Sequence, residues 1–302
     1  MLENNPFSRA KAKTIIYWFI LIPFPIFFAI GFLGILFDLP ELLDSSQINF
    51  ADPLFSSIFI NLFFYLFTLL WLFYYRVRSK FKLGYLLGEL TAIKRHSRLL
   101  LMVVPMMVFS AGTVQVLFYL LFLVSPKTAS DLASQNLLLT ANETNYPLLY
   151  NALEIIFIVI VAPILEEVLF RGIFIHRWST KWSIATATIV SSIVFGCLHL
   201  DFIGASIAGF ILALTYLKTR SLLVPIAIHL LNNLIAILLS LFYLLYSNQG
   251  TDSVAEQIKS YWWQGAIAIA ISLPWLIIFF RNNWKYTRKP LPYFANRSNM
   301  QV

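Results

Sequence analysis

Six consecutive residues, Glu166-Glu167-Val168-Leu169-Phe170-Arg171, set two carboxylates and a guanidinium inside a stretch made almost entirely of Ile, Leu, Val and Phe. A charge at the centre of a bilayer costs about 2.5–3.5 kcal/mol on insertion scales, so three ionisable groups there need partners or chemistry. On a helix Glu167 and Arg171 are four apart and face each other, which makes them an internal ion pair. Glu166 is turned about 140° from Arg171 and has no cation of its own. A carboxylate so placed in a low-dielectric site is a ready proton acceptor, as a general base that takes a proton from water must be.

Two further polar clusters stand in the same apolar surroundings, Phe195-Gly196-Cys197-Leu198-His199 and His229-Leu230-Leu231-Asn232-Asn233. Of the four histidines, His96 falls in a basic loop and His176 beside Arg177 at a span end, whereas His199 and His229 lie within or at the end of apolar spans. A lone histidine there is more often a bridge between helices than a catalyst. Two of them, with an unpaired glutamate on a third span, favour chemistry. His229 and Asn233 are four apart and share a helix face, so imidazole and amide can donate to one developing oxyanion. Asn232 points about 100° away. Pro163 and Pro225 precede the two catalytic-looking segments, and each bends its helix.

The elements that must carry these groups are membrane spans. With 59% hydrophobic and 12% charged residues in 302, the chain is far from the roughly 25% charged content of a soluble domain. Eight apolar stretches reach spanning or near-spanning length: 14–36, 53–75, 99–124, 147–170, 184–199, 203–217, 223–246 and 262–280. The fold class is therefore all-α, a polytopic transmembrane bundle of about eight spans with a membrane-embedded active site. With the N-terminus inside, 20 of the 22 Lys and Arg fall in the segments 1–13, 76–98, 171–181, 218–220 and 281–302. The positive-inside rule then puts both termini in the cytoplasm. Leu83 to Ile93, in the basic 76–98 loop, reads as a short interfacial helix.

The charge of +8 suits anionic lipid head groups. The basic residues are dispersed over five loops, so nucleic acid is not expected as a partner; the lipid bilayer is. Residues 9–36 read as a retained anchor, since the apolar run exceeds a signal peptide's core. Cys197 is the single cysteine, which leaves no internal disulfide and no Cys-based zinc cluster. Small residues crowd 184–217, and pairs such as Gly204/Ala208 and Ala205/Gly209 let membrane helices approach closely. These two short helices are expected in the bundle interior. Counting about 1.5 Å per residue from the basic side, Glu166 and His229 come out roughly 8–10 Å deep and His199 near 24 Å, a mismatch for one site.

Glu166-Glu167-xxx-Arg171, Phe195-xxx-His199 and His229-xxx-Asn233, in this order on successive spans, resemble the CPBP family of intramembrane proteases. That family takes in the type II CaaX prenyl endopeptidases and the bacterial bacteriocin-processing and self-immunity (Abi) proteins. The likeness covers 145–246. It divides the chain into 1–144 (three spans and the basic loop), 145–246 (the catalytic helix core) and 247–302 (the last span and basic tail). The resemblance implies that Glu166 and His199 position and activate the attacking water, that His229 and Asn233 form the oxyanion hole, and that Glu167 and Arg171 hold the site together. It implies an endopeptidase acting near the cytoplasmic face on a membrane peptide or protein, with or without a lipid modification. No cofactor is expected to be required; if a zinc is bound, Glu166, His199 and His229 supply the three ligands a catalytic site uses. The other readings are a non-enzymatic scaffold or immunity protein, and a proton-coupled transporter, which intramembrane Glu and His also mark. The expected location is a bacterial plasma membrane.

Overall fold

A computed structural model describes residues 5–9, 53–134, 138, 144–246 and 253–299. Among these residues every regular element is helical and there is no strand. Runs of Leu, Ile and Phe that close their backbone hydrogen bonds within one segment can cross hydrocarbon, and open strands cannot. Among the described residues five helices are long and apolar enough to cross a membrane: Ser97–Val124, Pro147–Trp178, Phe202–Thr219, Leu223–Phe242 and Val254–Arg288. Ile184–Cys197 is a shorter apolar helix, and the 53–75 stretch is helical as Pro53–Ser79. The stretch 14–36 lies outside the described residues. The chain is an integral membrane protein.

Two compact units form, one of Met1–Phe81 with Leu138–Leu165, the other of Lys82–Leu137 with Glu166–Val302. In the first, an aromatic run joins Phe7, Phe81, Tyr75 and Trp71, with ring centroids 5.6, 5.7 and 5.3 Å apart. It also holds a buried acid that sequence reading passed over. Glu154 accepts hydrogen bonds from Asn61 Nδ2 at 3.1 Å and the Tyr150 hydroxyl at 3.2 Å, so it sits among apolar neighbours with its oxygen satisfied.

In the second unit the helix Phe202–Thr219 is the innermost: Ile211, Leu212, Ala213, Leu214 and Tyr216 are fully or almost fully buried. Ile184–Cys197 buries one face through Ala187 and Thr188 and leaves Ile189 and Ile193 outward. The expectation of two interior helices thus holds for the C-terminal half of the later one, whose Phe202 and Ile203 are exposed, and for one face of the earlier one. The helices Val103–Val124 and Val254–Asn283 run antiparallel, with Tyr119 stacked on Trp262 at 4.9 Å. They touch at Gly112 and Gly265, where an added Cβ on Gly112 would lie 2.7 Å from the Gly265 carbonyl oxygen. Gly112→Leu is expected to lower stability by about 1–3 kcal/mol or more through overpacking. Thermal unfolding in detergent checks this against Gly84→Ala, where the new Cβ meets nothing and no loss is expected.

On the basic-loop side the second unit closes with a packed cap. Leu83–Leu87 is helical, with Leu86 fully buried and Tyr85 nearly so. Leu222 N–H donates to the Leu86 carbonyl (3.1 Å) and the Ser221 hydroxyl to that of Leu87 (2.6 Å). From the helix Pro292–Asn299, Asn296 Nδ2 donates to the carbonyls of Tyr85 at 2.9 Å and Arg220 at 2.8 Å. Over 83–93 the structure has two short helices, Leu83–Leu87 and Ala92–Arg95, in place of the single helix expected; Leu86 and Ala92 are buried against the protein while Leu90 stays exposed.

Candidate active site

The helix Pro147–Trp178 widens into π-helical turns at Phe157–Val161 and Val168–Phe174, on either side of Ala162–Glu167. Such insertions recur at functional sites because they re-aim the side chains that follow. Here they bracket the carboxylate pair. Glu167 and Arg171 are buried almost completely, and Arg171 Nη1 donates to Glu167 Oε1 at 2.6 Å. The second guanidinium nitrogen, Nη2, donates to the Gly209 carbonyl at 2.9 Å. The guanidinium also lies 4.6 Å from the centre of the Phe195 ring, a cation–π contact that strengthens when desolvated.

Glu167 does more than pair with arginine. Its Oε1 also accepts a hydrogen bond from His229 Nδ1 at 3.0 Å. One carboxylate therefore ties the fourth-span helix to the helix Leu223–Tyr246 and fixes the ring, leaving Nε2 as the working nitrogen. That nitrogen lies 3.9 Å from Glu166 Oε2, too far for a hydrogen bond but close enough for charge coupling. Glu166 Oε2 is sealed from solvent and has no hydrogen-bond partner among the described residues. As expected from its angle, Glu166 makes no bond with Arg171, and it interacts electrostatically with both His229 and His199.

His199 Nδ1 is 2.8 Å from the Phe195 carbonyl, an acceptor, so Nδ1 carries the proton and Nε2 presents a lone pair. Its ring packs on Phe195 at 4.6 Å, and the same Phe195 ring meets His229 at 5.9 Å and Phe170 at 5.2 Å. Phe195 is thus the apolar hub on which both histidines and the arginine rest. Asn232 Nδ2 donates to Asn233 Oδ1 at 3.2 Å. The amide carbonyl of Asn233 is thereby engaged as an acceptor.

The His199 segment is held by residues absent from the sequence reading. Asp201 caps the helix Phe202–Thr219, accepting from Gly204 N–H at 3.0 Å. The same carboxylate accepts from the Thr113 hydroxyl at 2.9 Å and from the Ser110 hydroxyl. The turn 198–201 is pinned from a different span. Gly196 permits the tight return, since a Cβ there would lie 2.6 Å from the Phe202 carbonyl oxygen. The available signal was Asp201 as an N-cap before an apolar run; its hydroxyl partners, some ninety positions away, had none. The double change Ser110→Ala with Thr113→Val keeps the Gly204 bond and is expected to cut turnover about tenfold or more, as a misplaced catalytic group does. Asp201→Ala also loses the cap, at about 1 kcal/mol. Turnover and melting temperature measured together separate positioning from stability.

The depth mismatch resolves in the folding of the ends. The fourth span does not stop at 170: Arg171 and Arg177 are buried, and the helix continues to Trp178. Glu166 lies about 18 Å along the helix from that end, against about 22 Å for His199 counted from Ile184. Ser191 donates to the Phe170 carbonyl at 3.0 Å, which sets the two antiparallel helices level. The 219–222 turn is likewise buried beneath the cap, with Ser221 and Leu222 almost wholly enclosed, so counting from Leu223 underestimates the depth of His229.

Residues 148–235 match the family model described as type II CAAX prenyl endopeptidase Rce1-like. The chain carries an Rce1-like segment. Every residue of the cluster from Glu166 to Asn233 falls inside it, whereas Ser110 and Thr113 lie outside. The chain is also 35% identical over 85 residues to YdiL of Bacillus subtilis (strain 168), described as a candidate membrane peptidase. That similarity covers 27% of this chain and spans about a third (35%) of the relative's length. No solved structure matches the chain. The motif resemblance is therefore borne out at the level of a membrane protease family. Among the described residues no three His, Cys, Asp or Glu side chains converge to hold an ion.

Proposed function

We propose that the protein is an intramembrane endopeptidase that hydrolyses a peptide bond with water activated by Glu166. The observation that carries this reading is the buried Glu166 Oε2, unpartnered among the described residues and 3.9 Å from a histidine nitrogen whose ring Glu167 has oriented. The Rce1-like segment supports it.

Glu166 takes a proton from water as His199 Nε2 accepts a hydrogen bond from the same molecule. The hydroxide oxygen bonds to the peptide carbonyl carbon, and the carbonyl π electrons move onto oxygen. Asn233 NH₂ donates to that oxyanion, and His229 Nε2 donates to it when the ring carries both protons. Donors aimed at the developing charge are worth about 2.7–4 kcal/mol each in comparable sites. The C–N bond then breaks, and the proton held by Glu166 passes to the leaving nitrogen, giving a carboxylic acid and an amine. The substrate is a membrane-associated peptide or protein, a CaaX-type tail being the one its relatives suggest, cleaved near the cytoplasmic face of a bacterial plasma membrane.

Hydrolysis in H₂¹⁸O tests this reaction. A reconstituted protein given prenylated and unprenylated membrane peptides is expected to place one ¹⁸O in the new carboxyl terminus of a cleaved peptide. Substrate that accumulates inside vesicles without cleavage would instead mean transport.

A further inference from the structure

A groove of about 500 Å³ runs along the outer side of the antiparallel pair Val103–Val124 and Val254–Asn283, remote in chemistry from the carboxylate–histidine cluster. Its walls are Leu101, Val104, Pro105, Ile271 and Trp275, and Arg98 stands at one end. Leu101, Val104, Ile271 and Trp275 are each more than 60% exposed, so the helices leave this surface uncovered. The one hydroxyl in the lining, that of Ser272, donates back to the carbonyls of Ala268 and Ile269. Nothing polar remains along the walls to hold a hydrated ligand.

Length and charge identify the occupant. From Arg98 to Val108 the groove follows about ten residues of helix, roughly 15 Å. That is about half of a 30 Å hydrocarbon core, the reach of one acyl chain in one leaflet. Arg98 is exposed and makes no ion pair or hydrogen bond among the described residues. It stands at the N-terminal end of the apolar span Ser97–Val124, and exposed Arg281 closes the same end of the pair. A guanidinium there presents parallel N–H donors that fit a phosphate. Basic pockets between transmembrane helices on that side bind anionic head groups. We infer that this groove is a specific site for an anionic phospholipid, one acyl chain lying against Trp275 and the phosphate on Arg98. The inference is independent of the proposed protease activity.

Trp275 reports on the site directly. The full-length protein is placed in phosphatidylcholine nanodiscs with increasing fractions of lipid brominated in its acyl chains, either phosphatidylglycerol or phosphatidylcholine. The Trp275 component is the difference between wild type and Trp275→Phe. Brominated phosphatidylglycerol is expected to quench it at about a fivefold lower fraction than brominated phosphatidylcholine, the preference one basic residue confers. Arg98→Gln is expected to abolish the preference, while Arg95→Gln, at an exposed residue paired with Glu89, leaves it intact. Equal quenching by both lipids in wild type, or a preference that survives Arg98→Gln, overturns the proposal and makes the groove a face for ordinary boundary lipid.

Discussion

Glu166→Gln is expected to lower peptide hydrolysis by about 10²–10⁴-fold, the range lost with a general base, with the protein still folded. The amide keeps the volume and one hydrogen-bonding oxygen but cannot take the proton from water. Folding should survive because Glu166 forms no hydrogen bond with the described residues through its buried oxygen; removing its charge from an apolar site relieves desolvation. The checks are the cleavage rate at saturating substrate and the thermal unfolding curve of the same preparation. A large fall in rate with an unchanged curve is the expected pattern. His199→Gln should behave alike in rate, since its Nε2 lone pair is what the mechanism uses.

Arg171→Leu is expected to have the largest effect on stability. Glu167 and Arg171 are both essentially inaccessible to solvent and joined at 2.6 Å. Breaking such a pair from one side leaves an uncompensated buried charge, at about 3–5 kcal/mol. Here the damage extends further, because Glu167 also orients His229 and Arg171 also ties down the Gly209 carbonyl. The substitution is expected to lower the melting temperature sharply and to abolish activity in whatever fraction remains folded. Arg171→Lys keeps the charge but not the fork that reaches both Glu167 and Gly209, so it should recover part of the stability. Melting temperatures of the two variants in one detergent make the comparison.

Much of the site could be read from the chain alone, since helical spacing is local information. Glu167 and Arg171 are four apart and pair. Glu166, five from Arg171, makes no bond with it. His229 and Asn233 share a helix. What spacing could not give is which helices meet. The Glu167–His229 bond joins residues 62 positions apart, and nothing in either segment marks the other as its partner. The same holds for Asp201 with Ser110 and Thr113, and for Glu154 with Asn61. Nor does charge by itself show where protein contacts end. Arg171, expected both as the partner of Glu167 and as the first residue beyond the fourth span, is a buried member of that pair in a helix that continues to Trp178. In the basic 76–98 loop Leu86 is enclosed by the cap while Leu90 stays exposed.

The most direct measurement compares membranes from cells expressing wild type or Glu166→Gln by quantitative proteomics of peptide termini. New termini are expected in wild type alone, mapping to membrane-associated proteins near the cytoplasmic face, with both variants present at equal levels. Identical termini in the two samples, with both variants folded, would contradict the proposed hydrolysis and leave the carboxylate–histidine cluster as a scaffold that joins the helices.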